Sequence, residues 1–130
     1  MIYVDNPIGT GFSIASEEDL VTNEDQVAEG LHNFLKGFLK ANPEFEGREL
    51  FITGESYAGH YIPAISYELV TNGKDLNLNF KGSAIGNGWV DPYHQYPAYA
   101  KYAYENHLVN GDTYRQMEKD FKTCQYLLKN

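Results

Sequence analysis

One serine in this sequence stands where a serine can act as a nucleophile. The run Leu50-Phe51-Ile52-Thr53 is β-prone, Gly54-Glu55-Ser56-Tyr57-Ala58-Gly59 is a turn of mostly small residues around Ser56, and His60-Tyr61-Ile62-Pro63 begins a helix-like stretch. In a Gly-x-Ser-x-Gly elbow, small residues flank the serine because the strand-to-helix turn is strained and crowded, and the hydroxyl is left exposed above the sheet. Gly54 takes the first small position, Ala58 the last, and Gly59 follows at once. A serine in front of a helix also serves as its cap. One position can do both, and the short pattern alone does not separate them.

A serine hydroxyl attacks a carbonyl only when a base takes its proton and an acid orients that base. In this architecture the expected chain order is serine, carboxylate, histidine. His60, His94 and His107 follow Ser56. His60 lies one helical turn on, so it belongs to the supporting helix. His94 and His107 have only Asp75 or Asp91 as acids in the right order, both in loops without a supporting motif, so none is assigned to a triad. His32 lies among polar positions of a helix with no ligand-spaced partner and reads as solvated. Gly9-Thr10-Gly11 lacks the third glycine and the Lys-Ser or Lys-Thr of a phosphate loop and reads as a structural loop. No metal or cofactor pattern is present.

The elements that must position Ser56 follow from periodicity. Ile2-Tyr3-Val4 is a short β-prone run, ended by Asp5-Asn6-Pro7, that reads as the cut end of a longer strand. Val27, Leu31, Phe34, Leu35 and Phe38 recur at helical spacing, with Thr22 or Asn23 as cap and Asn42-Pro43 as stop. Glu49 to Thr53 is the second strand, Tyr57 to Val70 a second helix disturbed by Pro63, and Phe80 to Ile85 the third strand. The order strand, helix, strand, helix, strand predicts an α/β fold with parallel pairing. Ser56 then falls at the carboxyl end of the middle strand, where open α/β sheets place functional groups.

Gly86-Asn87-Gly88-Trp89-Val90-Asp91-Pro92 is a loop at the same sheet edge, in which Trp89 is either a packing anchor or a substrate contact. Tyr96, Tyr99, Tyr102 and Tyr104 read as a helix face packed on its neighbours. A last helix is predicted from Thr113 to Leu128, capped by Asp112, with a thin apolar pattern that needs something else to pack on.

Apolar residues make up 42% and aromatic residues 15% of the 130, which describes a folded chain and excludes a disordered one. Ten basic against eighteen acidic side chains give a charge of −8, which argues against nucleic-acid binding. No transmembrane run occurs. Met1-Ile2-Tyr3-Val4-Asp5 does not open a signal peptide, and the single Cys124 has no internal disulfide partner.

The block from Gly54 to Pro63 resembles the nucleophile segment of the serine carboxypeptidases, within the α/β-hydrolase fold. Asp5-Asn6-Pro7-Ile8-Gly9-Thr10-Gly11-Phe12-Ser13 resembles a second motif of that family, in the right order, and residues 2 to 104 carry the specific part of the likeness. The resemblance implies a match to the middle of a larger enzyme: residues 1–92 as a partial α/β-hydrolase core and 93–130 as a helical segment leading into a cap or insertion. It implies Ser56 as nucleophile and the backbone N–H of Tyr57 as an oxyanion donor. It makes Glu55 one of two carboxyls that bind the free carboxylate of a peptide, sharing a proton so that binding weakens as pH rises. By itself Glu55 would be a helix N-terminal charge, worth about 0.3 to 1 kcal/mol. The side chains of Tyr57, Trp89 and Tyr96 would wall the pocket for the penultimate residue.

The family's catalytic Asp and His and its Asn-Gly-Gly-Pro-Gly segment do not occur in this sequence. The expected partners are therefore a peptide or protein C-terminus as substrate and the remaining parts of the same enzyme. The implied location of the full-length protein is secreted or vacuolar/lysosomal, with a partner for Cys124 elsewhere. Glu55 and Ala58 favour peptidase over the related acyltransferases or esterases, and the chain alone is also readable as a catalytically silent binding or regulatory module.

Overall fold

The helical spacing of the first apolar set becomes α1 (Glu24–Ala41) in the computed structural model, which describes residues 1–130. Asn23 Oδ1 accepts the Gln26 N–H at 3.0 Å while Gln26 Oε1 accepts the Thr22 N–H at 2.8 Å, a reciprocal cap that serves two donors the helix cannot satisfy itself. At the other end both the backbone and the side-chain amide of Asn42 donate to the Phe38 carbonyl, and Pro43 prevents continuation. The chain divides into two units, Met1–Gly88 and Trp89–Asn130.

In the first unit, α1 leads to β1 (Glu49–Glu55), α2 (Ala58–Thr71) and β2 (Asn79–Gly86). The two strands pair in parallel from Glu49↔Asn79 to Glu55↔Gly86, joined through α2 as parallel strands require. One irregularity interrupts the register, since Leu50 pairs with Phe80 but Phe51 with Gly82, leaving Lys81 as the extra residue on β2. Leu50, Ile52 and Phe80 face a core built around Ala28, Leu35 and Leu39 of α1, Ile65 and Leu69 of α2, and Leu76. Phe51, on the opposite face of β1, is 62% exposed. Pro63 lies on the exposed side of α2, and the helix runs through it instead of breaking.

The expected first strand at Ile2-Tyr3-Val4 is not formed as a sheet member. The sheet has two strands, and these three residues are exposed and outside any ladder. A strand exists through its hydrogen-bonded neighbours, and this run has none alongside. The following loop is ordered by its own chemistry: Asp5 accepts the Phe12 N–H and the Ser13 hydroxyl, both at 2.8 Å, with Gly9 and Gly11 at φ of 85° and 55°.

His32 is not the solvated histidine that its helical neighbours suggest. Its side chain is only 12% exposed, with Nδ1 2.9 Å from Glu68 Oε1 and Nε2 2.9 Å from Asp75 Oδ1, so it ties α1 to α2 and to the 3-10 turn Gly73–Asp75. Its position in α1 looked polar because the residues that surround it arrive from elsewhere in the chain. No group of three or more His, Cys, Asp or Glu side chains is placed to hold a metal ion.

The second unit holds α3 (Pro92–Gln95), α4 (Pro97–Glu105) and α5 (Gly111–Lys129). Ala100 of α4 is buried, and Tyr104 stacks on Tyr114 of α5 with ring centroids 4.8 Å apart. The cap of α5 is Asn110, whose side chain accepts the Thr113 N–H at 2.9 Å, rather than Asp112, which sits inside the first turn and pairs with Arg115. The thin apolar pattern of α5 leaves it with no fully buried residue.

The cluster around His32 makes stability depend on acidity. A hydrogen bond from Lys36 Nζ (2.7 Å), with His32 adding to it and burial opposing, holds the Asp75 carboxyl below the usual carboxylate range. A carboxyl depressed in the folded state stabilises it above its unfolded value, about 3.9 for aspartate, and that stability is lost as pH falls through the folded value. In denaturant titrations of a protein carrying this segment, the stability difference between parent and Asp75→Asn is expected to shrink as pH drops below about 4. A difference that stays constant from pH 6 to pH 3 contradicts this.

Candidate active site

The turn between β1 and α2 places Ser56 in the left-handed region, at φ 59°. A non-glycine residue rarely sits there, and where it does the surrounding structure must hold it in place. Three backbone bonds do so: Ser56 N–H donates to the Gly86 carbonyl of β2 (3.0 Å), Gly59 N–H to the Ser56 carbonyl (3.0 Å), and His60 N–H to the Tyr57 carbonyl (2.9 Å). The small flanking residues are explained by space, because a Cβ built on Gly54 would lie 2.5 Å from the Ala58 Cβ and 3.4 Å from Ile62. Strand and helix thus approach too closely for any side chain at 54, and Ala58 is the size the gap admits. Ser56 is exposed above the carboxyl end of β1, and its hydroxyl has no hydrogen-bond partner within its unit.

Tyr57 follows as the N-cap residue of α2, so its backbone N–H opens the helix one position after the serine. That is where an oxyanion donor belongs in such an elbow. Its ring lies against His60 and Tyr61, each with centroids 5.0 Å away, and its hydroxyl donates to Glu24 Oε1 at 3.4 Å. Partial burial first, then the charge of Glu24 and the bond to it, push the Tyr57 phenol up. Glu55 is exposed at the last position of β1, its side chain beside Gly86. The structure therefore brings Glu55, Ser56 and Tyr57 together at the mouth of the elbow.

Trp89 and Tyr96 belong to the second unit, where both are half-buried and their rings stack with centroids 6.0 Å apart and planes 21° from parallel. Tyr96 also meets Tyr99 and Phe121, which supports the packing reading of that aromatic run. The loop before α3 is fastened by Gln95 Oε1, which accepts the N–H groups of Val90 and Asp91 at 3.0 Å each. Asp91 and His94, unassigned from sequence, pair at 2.5 Å on the surface, and the bond to His94 is the first cause holding the Asp91 carboxyl low. Within the first unit His32 is engaged by Glu68 and Asp75, and the His60 ring rests on Tyr57.

Glu24, in the first turn of α1, is a contact of Tyr57 that sequence reasoning did not find. An acidic residue in a first helical turn is ordinarily accounted for by the helix dipole. The available signal was that Asn23 and Gln26 already supply the cap, which leaves its carboxylate for another use.

A left-handed serine between a parallel strand and a helix, followed at once by a helix-opening N–H, is the backbone geometry of a strand-to-helix elbow of the α/β-hydrolase type. The family model described as serine carboxypeptidase matches residues 1–130, and the chain belongs to that family. It is 44% identical over 133 residues to serine carboxypeptidase-like 47 of Arabidopsis thaliana, covering 99% of this chain and 26% of that protein. With the probable serine carboxypeptidase CPVL of Dictyostelium discoideum identity is 48% over 114 residues, covering 85% of this chain and 23% of the relative. Among solved structures it is similar to Kex1(delta)p, a prohormone-processing carboxypeptidase from Saccharomyces cerevisiae, with a TM-score of 0.81 and 30% identity over 96% of this chain and 29% of that one. The chain thus spans about a quarter of the length of the curated relatives it matches.

The close approach at Gly54 is testable. Gly54→Ala is expected to cost about 1 to 3 kcal/mol through overpacking against Ala58. Adding Ala58→Gly should restore part of that stability in chemical denaturation, since the Ile62 contact remains. Equal stability of Gly54→Ala and parent contradicts the packing account.

Proposed function

We propose that this chain supplies the nucleophile segment of a serine-type carboxypeptidase, an enzyme that removes residues from the C-terminus of a peptide through an acyl-enzyme. The observation that carries the reading is Ser56 at φ 59° on the junction of β1 and α2, in a chain of this family. Ser56 Oγ attacks the carbonyl of the scissile peptide bond and gives up its proton to a base, and the tetrahedral oxygen is held by the Tyr57 N–H with a second donor. The amine of the C-terminal residue leaves with a proton, and water then releases the acyl group and regenerates the serine. The base, its orienting acid and the second donor come from other parts of the same protein, which are the partners this chain requires.

In this reading Glu55 shares a proton with a second carboxyl to grip the substrate's free carboxylate, so binding weakens as pH rises. The Tyr57 side chain walls the pocket for the penultimate residue. Residues 1–92 form part of the hydrolase core and 93–130 lead into its helical insertion. The full-length protein works in a secreted or vacuolar/lysosomal setting. No helix of the chain is long and apolar enough to cross a membrane. Glu55 and Ala58 support peptidase over acyltransferase or esterase chemistry. For the 130 residues alone a silent binding or regulatory role is the second reading, favoured by the engagement of His32 with Glu68 and Asp75 instead of with the serine.

A protein spanning the family's length and containing this segment is expected to be labelled by a fluorophosphonate at Ser56. Both labelling and release of a C-terminal residue from a blocked dipeptide should vanish in Ser56→Ala. Absence of labelling in the folded parent overturns the nucleophile reading. The 130-residue chain alone is expected to show no turnover, and hydrolysis that Ser56→Ala abolishes would exclude silence.

A further inference from the structure

We propose that Glu24, the first residue of α1, is a positioning residue for the nucleophile elbow: its carboxylate anchors the Tyr57 side chain and thereby steadies the peptide group that presents the oxyanion-binding N–H. The inference rests on the reading of Ser56 as nucleophile. Three observations carry it. The Tyr57 hydroxyl is directed at Glu24 Oε1 from 3.4 Å, longer than the about 2.5 to 3.0 Å of a full O–H···O bond, across a separation of 33 residues. The second carboxylate oxygen, Glu24 Oε2, is buried without a hydrogen-bond partner. Withdrawing a carboxylate oxygen from water in this way opposes folding, so Glu24 is not explained as a stabiliser of its own helix. Capping does not explain it either, because Asn23 Oδ1 and Gln26 Oε1 already perform it. The positive end of α1 offsets the charge that the carboxylate brings inward.

The elbow needs such an anchor. Ser56 stays left-handed only while its neighbours over-determine the turn, and the three backbone bonds around it all lie within the turn or run to β2. Glu24 adds a tie from a third element, α1, to the residue directly after the serine. The Tyr57 ring is further confined by Tyr61 in an edge-on contact and by His60. Since burial and the neighbouring carboxylate push the phenol up, its hydroxyl remains protonated and able to donate. A small rotation of the Tyr57 peptide would move its N–H off the developing oxyanion while leaving the substrate pocket in place. The expected signature is therefore a loss in kcat rather than in KM.

The test is a double-mutant cycle in a full-length protein containing this segment, comparing parent, Glu24→Ala, Tyr57→Phe, the double variant and Glu24→Gln, with Ser56→Ala as the reference for the nucleophile. Steady-state hydrolysis of a small ester and the rate of fluorophosphonate labelling are measured for each. Glu24→Ala and Tyr57→Phe should each lower kcat and the labelling rate by about three- to tenfold, the range of one hydrogen bond, with KM within about twofold. The double variant should fall no further than either single one, and Glu24→Gln, whose amide oxygen still accepts the phenol, should recover most of the rate. Unchanged kcat and labelling in folded Glu24→Ala, or single losses that multiply in the double variant, overturn the positioning role. If Glu24→Ala does not fold, Tyr57→Phe decides: an unchanged rate in it overturns the proposal and a three- to tenfold loss in kcat alone supports it. Activity retained in Ser56→Ala overturns the nucleophile reading and this one with it, whereas activity lost there but intact in folded Glu24→Ala removes only the inference.

Discussion

The left-handed conformation of Ser56 is the constraint around which the first unit is built. A serine at φ 59° is unfavourable by itself, so its persistence requires that strand and helix be held at a fixed and very short distance. The missing side chain at Gly54 and the single methyl of Ala58 provide that distance. The Gly86 carbonyl, delivered by the parallel neighbour, fastens the serine N–H. Each of these is a backbone or near-backbone feature, which is why the chemistry of the turn tolerates so little variation in residue size.

The packing behind the elbow distributes the remaining tasks. One face of β1 lies on the apolar cluster of α1 and α2, and the bridge of His32, Glu68 and Asp75 ties the middle of α1 to the last turn of α2. At the start of α1, Glu24 meets Tyr57. The two helices are thus joined by polar contacts as well as by their apolar seam.

How much of this could be read from the residues depended on whether the cause was local. The elbow was legible because its steric demands fall on adjacent positions, and α1 was legible because apolar spacing and the cap share one stretch of chain. Ile2-Tyr3-Val4 has strand-like residues, but strand formation needs a neighbour that propensity cannot supply. His32 looked solvated because Glu68 and Asp75 reach it from 36 and 43 residues away. Asp112 and Asn110 are both good caps by type, and only the path of the backbone into α5 chose Asn110. The contact of Glu24 with Tyr57 was invisible for the same reason as that of His32, since the partner lies 33 residues along the sequence.

The bulge at Lys81 carries a consequence for how this segment can vary. Because β2 holds one residue more than β1 between its first pairs and its last, the residues after the bulge, ending in Gly86, are phased by that insertion. Gly86 supplies the acceptor for the Ser56 N–H. With Lys81 gone, the seven remaining residues of β2 would pair one to one with the seven of β1, and Gly86 would still face Glu55. At that point of the chain a change in length is absorbed by the bulge, whereas at Gly54 a single added methyl has no room.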